Sequence, residues 1–166
     1  MKLKFTRKTW YFFLLAAAAA SMLGGFAVLG GMDFSALELV VFCITGMAVL
    51  FLAAEKGGSA QDKRAYTGVF VVLMLSKLAA GGWAGDLCSA LVWPGLLAIE
   101  YRHGKPIQRQ LQLVCGAEVL RTVFWLMTQY GGVSALAFWT NLMFVLLACA
   151  RGWAALTLYK TQEETL

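Results

Sequence analysis

The sequence predicts an all-α fold, a polytopic membrane bundle of six transmembrane helices with both termini on one side. Three observations predict it. The first is composition. Of 166 residues, 60% are hydrophobic and 14% are charged, against about 45–50% and about 25% in soluble domains. Mean hydropathy is +0.70. The second is a row of six apolar runs, each near the roughly 20 residues that cross a bilayer core of about 30 Å. The third is an alternation of Lys and Arg between successive connections. A soluble chain of this length could not bury so much apolar surface in one core. Disordered chains are polar and charge-rich, so disorder is excluded too.

The first run is Trp10 to Leu29, within an uncharged stretch from Thr9 to Met32. It is too long for the core of a cleaved signal peptide and reads as an anchor helix. The second is Ala36 to Ala54, with Glu38 near its start. The third is Ala65 to Trp83, with Lys77 inside it. The fourth is Gly85 to Ile99, short, with Asp86 at its start. The fifth is Leu111 to Tyr130, carrying Glu118 and Arg121. The sixth is Val133 to about Arg151, with a helix that can continue to Tyr159. The runs are continuous and lack period-two alternation, so helices are expected rather than barrel strands. The breaks are short and rich in glycine: Gly30 and Gly31, Gly57 and Gly58, Gly81 and Gly82, Gly131 and Gly132. No linker is long enough to divide the chain, which reads as one integral membrane domain, residues 1–166.

Loop charges set the orientation. Lys2, Lys4, Arg7 and Lys8 precede the first span. Lys56, Lys63 and Arg64 follow the second. Arg102, Lys105 and Arg109 follow the fourth, and Arg151 and Lys160 follow the sixth. Of the fourteen Lys and Arg, this leaves only Lys77 and Arg121 inside spans. The first, third and fifth connections hold none. Six spans with cytoplasmic termini follow, and a bacterial plasma membrane fits the strong asymmetry. The net charge of +5 is thus a topology signal, and no nucleic-acid partner is expected.

Charged groups within a bilayer are costly and usually face a polar interior. At about 1.5 Å per residue, Lys77 lies about 18 Å from the start of its span. Glu118 and Arg121 lie about 10–15 Å in, and Asn141 about 12 Å from the opposite face. All four are expected in the central third of the membrane, with Glu38 and Asp86 above them at the outer face. Glu118 and Arg121 are three apart, on one helical face. Lys77 has Glu38 or Glu118 as its possible carboxylate. Such a set either fixes helix packing or lines a polar cavity for a small solute. In a cavity, Lys77 and Arg121 suit a carboxylate or phosphate, Glu118 and Asn141 an amine or amide. Glu38 and Asp86 would guard the mouth.

Other features are blander. Cys43, Cys88, Cys115 and Cys149 form no Cys-x-x-Cys and read as small buried hydrophobes. Trp10, Tyr11, Trp83, Tyr101, Tyr130, Trp153 and Tyr159 read as an interfacial belt; Trp93, Trp125 and Trp139 read as deeper packing. His103 is the sole histidine and falls in a basic loop. Neither a zinc motif nor a phosphate-binding or nucleophile motif occurs, so no cofactor, metal or catalytic residue is assigned.

The first span carries Ala16, Ala20 and Gly24 at four-residue spacing, beside Ala17, Ser21 and Gly25. Such stripes let helix backbones approach closely in lipid, within the chain or against a partner membrane protein. Six spans, cytoplasmic termini and this stripe resemble the substrate-binding components of energy-coupling-factor vitamin transporters. The resemblance implies docking through Ala16 and Ala20, and uptake of a vitamin-like solute driven by a partner ATPase. The functional expectation is a small-solute-binding or transport subunit with a mid-membrane polar cavity. The alternative is a non-transporting accessory or scaffold packed against a partner. A membrane-embedded enzyme is a third reading.

Overall fold

The computed structural model describes residues 6–55 and 59–163. Lys2, Lys4, Lys56, Gly57 and Gly58 lie outside the described residues. Six helices follow one another: α1 Arg7–Leu29, α2 Ser35–Ala54, α3 Ala60–Leu78, α4 Trp83–Arg102, α5 Gln108–Gln129 and α6 Ala137–Glu163. A single 3-10 turn, Ser134–Leu136, leads into α6. Connections of a few residues leave successive helices antiparallel. Each helix packs against the next, and α1 packs against α6. The bundle is therefore a closed ring in chain order.

Four helices, α1, α2, α5 and the α6 segment, are long and apolar enough to cross a membrane. α3 and α4 have similar lengths, 19 and 20 residues, but carry more polar positions. In α3 the charges other than Lys77 gather in the first turns, Asp62, Lys63 and Arg64, with the last two exposed; in α4 they stand near its two ends, Asp86, Glu100 and Arg102.

Helix ends depart from the sequence reading in an informative way. The third span was expected at Ala65–Trp83, but α3 starts at Ala60 and stops at Leu78. Its start is fixed by Ser59, whose side chain accepts the Asp62 N–H at 3.1 Å, an N-cap bond. Its stop is fixed by the turn through Gly81, whose φ of +86° suits glycine. Lys77 therefore sits in the last turn of α3, not in the middle of its helix. The expected short fourth span is a full helix from Trp83 to Arg102, with Glu100 inside it rather than in a loop. α6 runs on to Glu163, which places Arg151 in mid-helix instead of at a cytoplasmic end. Pro94 lies inside α4 and has no N–H to donate to the preceding turn. Asp33 accepts the N–H and hydroxyl of Ser35 at the start of α2; these bonds hold its carboxyl below the usual range.

The small residues of α1 face inward. Ala17, Ala18, Ser21, Gly24 and Gly25 are buried. A Cβ on Gly25 would lie 2.7 Å from a Val145 methyl of α6, and one on Gly24 would fall inside the Phe34 ring. Phe12, Leu23 and Phe26 form the exposed side of α1. Gly24, expected on a partner-docking stripe, is thus covered by Phe34 of the same chain, while Ala16 and Ala20 are half-buried.

The cysteines differ from expectation. All four are free, with Cys43 and Cys149 exposed and Cys88 and Cys115 half-buried.

At the end of the bundle where α1 begins, the core closes around a polar knot. Glu100 is fully buried. It accepts the Tyr11 hydroxyl at 2.6 Å, the Tyr66 hydroxyl at 2.6 Å and an Arg7 Nη2 N–H at 3.2 Å. Arg7 also donates to Tyr11 at 2.8 Å and to Glu55 at 3.1 Å. The knot joins α1, α3 and α4 to the end of α2. Charge-assisted bonds of this kind are the strong ones, and Leu14, Leu52, Leu96 and Leu97 belong to the buried apolar core of the same helices.

Candidate functional site

At the opposite end the ring does not close. A cavity of about 330 Å³ lies between the helices, within the range of small-ligand sites. Its rim carries Glu38 from the first turn of α2, Lys77 from the last turn of α3 and Asp86 from the first turn of α4. Lys77 Nζ donates to Glu38 Oε1 across the mouth. Both side chains are partly exposed, 35% and 57%. Gly85 lets α4 begin tight against the turn after α3: a Cβ there would lie 2.4 Å from the Ala79 carbonyl oxygen.

Below the rim the walls are mixed. Val41, Phe42 and Leu73 are apolar, while Ser21, Thr45, Ser76 and Ser89 bring hydroxyls. Ser21 and Ser76 donate to backbone carbonyls of their own helices, at 2.9 and 2.7 Å. The floor is Trp93 and Arg151. Trp93 lies two helical turns past Asp86 on α4, hence about 10 Å deeper. The Arg151 guanidinium sits 5.7 Å from the Trp93 ring centre, within cation–π range.

Arg151 is held from behind. Its Nη2 donates to Glu118 Oε1 of α5. Glu118 Oε2 accepts the Arg121 Nε N–H at 3.3 Å, the expected intrahelical pair. Glu118 is 3% exposed and Arg151 is 9% exposed. One carboxylate thus serves two guanidiniums. Arg151 Nε is buried and lacks a hydrogen-bond partner among the described residues.

The structure divides the six residues expected to bind solute. Glu38, Lys77 and Asp86 come together at the rim. Glu118 and Arg121 come together behind the floor and do not line the cavity. Asn141 stands one turn into α6, half-buried and away from the cavity lining. Lys77 takes Glu38, not Glu118, because both lie at helix ends on the same side of the bundle.

Arg151, the deepest cation of the cavity, was missed because it was counted as a loop charge. A signal was present: Val145 to Ala150 precede it and Gly152 to Leu158 follow it without another charge. A cation centred in so long an uncharged run is intramembrane. Thr45 and Trp93 carried no comparable signal.

No protein-family model, curated protein or solved structure matches this chain.

Proposed function

We propose that the chain is a small-solute-binding or transport subunit of a membrane transport system. The cavity carries this reading: it opens between Glu38, Lys77 and Asp86 and descends to Arg151 at mid-bundle. The opposite end is closed by the Arg7, Tyr11, Tyr66 and Glu100 knot. A site open at one end and sealed at the other is the geometry a carrier needs before it turns its solute over. Loop charges support cytoplasmic termini, which turns the cavity mouth outward, and a bacterial plasma membrane fits that arrangement. A partner that supplies energy would dock on the lipid-facing surface, with Ala16 and Ala20 as its first-helix contacts.

Hydration of the cavity tests the reading. Thr45→Cys and Ser89→Cys, in a chain whose four native cysteines are alanine, are placed in sealed vesicles and treated with a small charged thiol reagent. Both positions are expected to react when the reagent is on the mouth side. Reaction at Ser89→Cys without reaction at Thr45→Cys means a dry interior. That result overturns the binding reading and favours a non-transporting accessory protein.

A further inference from the structure

We infer that the cavity floor is a carboxylate-binding site built on Arg151, so that the solute is a small organic acid. The inference rests on the solute-binding reading and names the chemistry of the solute.

Three observations converge on one group. Arg151 is more than nine-tenths buried, lines the cavity and has an Nε–H without a partner among the described residues. A buried N–H left unpaired is costly, and a site built to hydrogen-bond a ligand carries such groups until the ligand arrives. The placement of charge points the same way. Around Glu118 stand two guanidiniums, Arg121 and Arg151. The remaining charges facing the space are Glu38, Lys77 and Asp86 at the rim. Glu38 and Lys77 satisfy each other. Asp86 is in no ion pair among the described residues, but it lies close enough to Arg121 to feel its charge, so the three carboxylates and three cations of the set balance. Arg151 is the cation that lines the cavity floor, in a low-dielectric setting where an arriving anion is attracted most strongly. The third observation is geometric. The guanidinium is fixed by Glu118 on one side and by the Trp93 face beneath it. A preorganised planar fork suits a planar carboxylate better than a point charge does. The Thr45 hydroxyl also lines the cavity and is a donor that a carboxylate's second oxygen or a neighbouring substituent can use. The apolar sides, Val41, Phe42 and Leu73, suit a short carbon skeleton.

The test is calorimetric titration of the purified full chain in detergent with four probes: butyrate, butyramide, butylamine and inorganic phosphate. Butyrate is expected to bind about tenfold or more tightly than its isosteric amide, the ratio set by one charge-assisted hydrogen bond. Arg151→Lys keeps the charge and loses the fork; it is expected to weaken butyrate about tenfold. Glu118→Gln keeps an acceptor for Arg151 but removes the competing negative charge, and is expected to bind butyrate at least as tightly as the parent chain. A purely structural pair predicts the reverse for Glu118→Gln, so the sign decides even if Arg151→Lys fails to fold. Equal binding of butyrate and butyramide overturns the carboxylate site, as does tighter binding of butylamine. Tighter binding of phosphate than of butyrate overturns it in favour of a phosphate site. No binding of any probe, in a chain whose Thr45→Cys variant reacts with the thiol reagent, overturns the site and leaves the hydrated cavity standing.

Discussion

The Tyr11 hydroxyl donates to Glu100 at 2.6 Å across 89 residues of sequence, and the carboxylate that accepts it has no exposed surface. The bond joins the first and fourth helices where the bundle is sealed. Tyr11→Phe removes one donor from a buried charged acceptor, a change worth about 1–3 kcal/mol. Tyr66→Phe removes the equivalent donor from α3 and is expected to cost a similar amount. Glu100→Ala leaves Arg7 without its buried partner and is expected to cost more, about 3–5 kcal/mol. Unfolding in detergent by denaturant or heat measures the order. Tyr11→Phe more damaging than Glu100→Ala is the result that defeats this account of the knot.

The Glu118 cluster gives a second, independent ranking. Glu118→Ala leaves two guanidiniums facing each other inside the bundle and is expected to cost about 3–5 kcal/mol. Arg151→Met with Glu118→Ala is expected to recover part of that loss, because the pair is then replaced by apolar volume. A double-mutant cycle reads the coupling directly. Additive single effects mean that Arg151 and Glu118 do not depend on one another.

At the cavity mouth the same chemistry is worth far less. Lys77 and Glu38 are 35% and 57% exposed, and exposed ion pairs contribute about 0–1 kcal/mol. Lys77→Gln is therefore expected to leave the unfolding midpoint almost unchanged. Its effect belongs on access: labelling at Thr45→Cys should quicken when the bridge across the mouth is gone, and the difference should shrink as salt rises. A large loss of stability with unchanged access inverts this assignment.

Two glycines separate packing from propensity. Gly85→Ala sets a methyl 2.4 Å from the Ala79 carbonyl oxygen, a contact with backbone that no rotamer change relieves. A cost of about 1–3 kcal/mol is expected, as for other overpacked sites. Gly116→Ala meets nothing within 4 Å on α5 and is expected to be neutral or stabilising by up to about 1 kcal/mol. Equal behaviour of the two variants contradicts the tight approach of α4 to the turn before it.

The helices were legible in the sequence because long uncharged runs have few alternatives in lipid. Their ends were not, and the reason is specific. Residues 60–64 are polar and read as loop, yet Ser59 caps them into α3. Arg7 and Glu100 read as loop charges, yet both lie inside helices because they satisfy each other with Tyr11 and Tyr66. Counting from the wrong starting residue then moved Lys77 toward the middle of its span and Arg151 to the end of its own. The Glu118 and Arg121 pair was legible from its spacing of three. The partner that matters for the cavity, Arg151, came from another helix, and no local spacing announces a contact between helices.

Closing the ring through α1 and α6 has a consequence for biosynthesis. The ribosome delivers the chain from its N-terminus, so α1 waits for its second neighbour until α2 to α5 have been made. During that interval the buried small face of Ala17, Ala18 and Gly25 has no α6 to meet, and Glu118 has only Arg121. α6 then brings Arg151, sets the floor and shuts the seam in one step. A nascent chain stopped before α6 thus has a gap in its wall where the finished protein has the floor of its cavity.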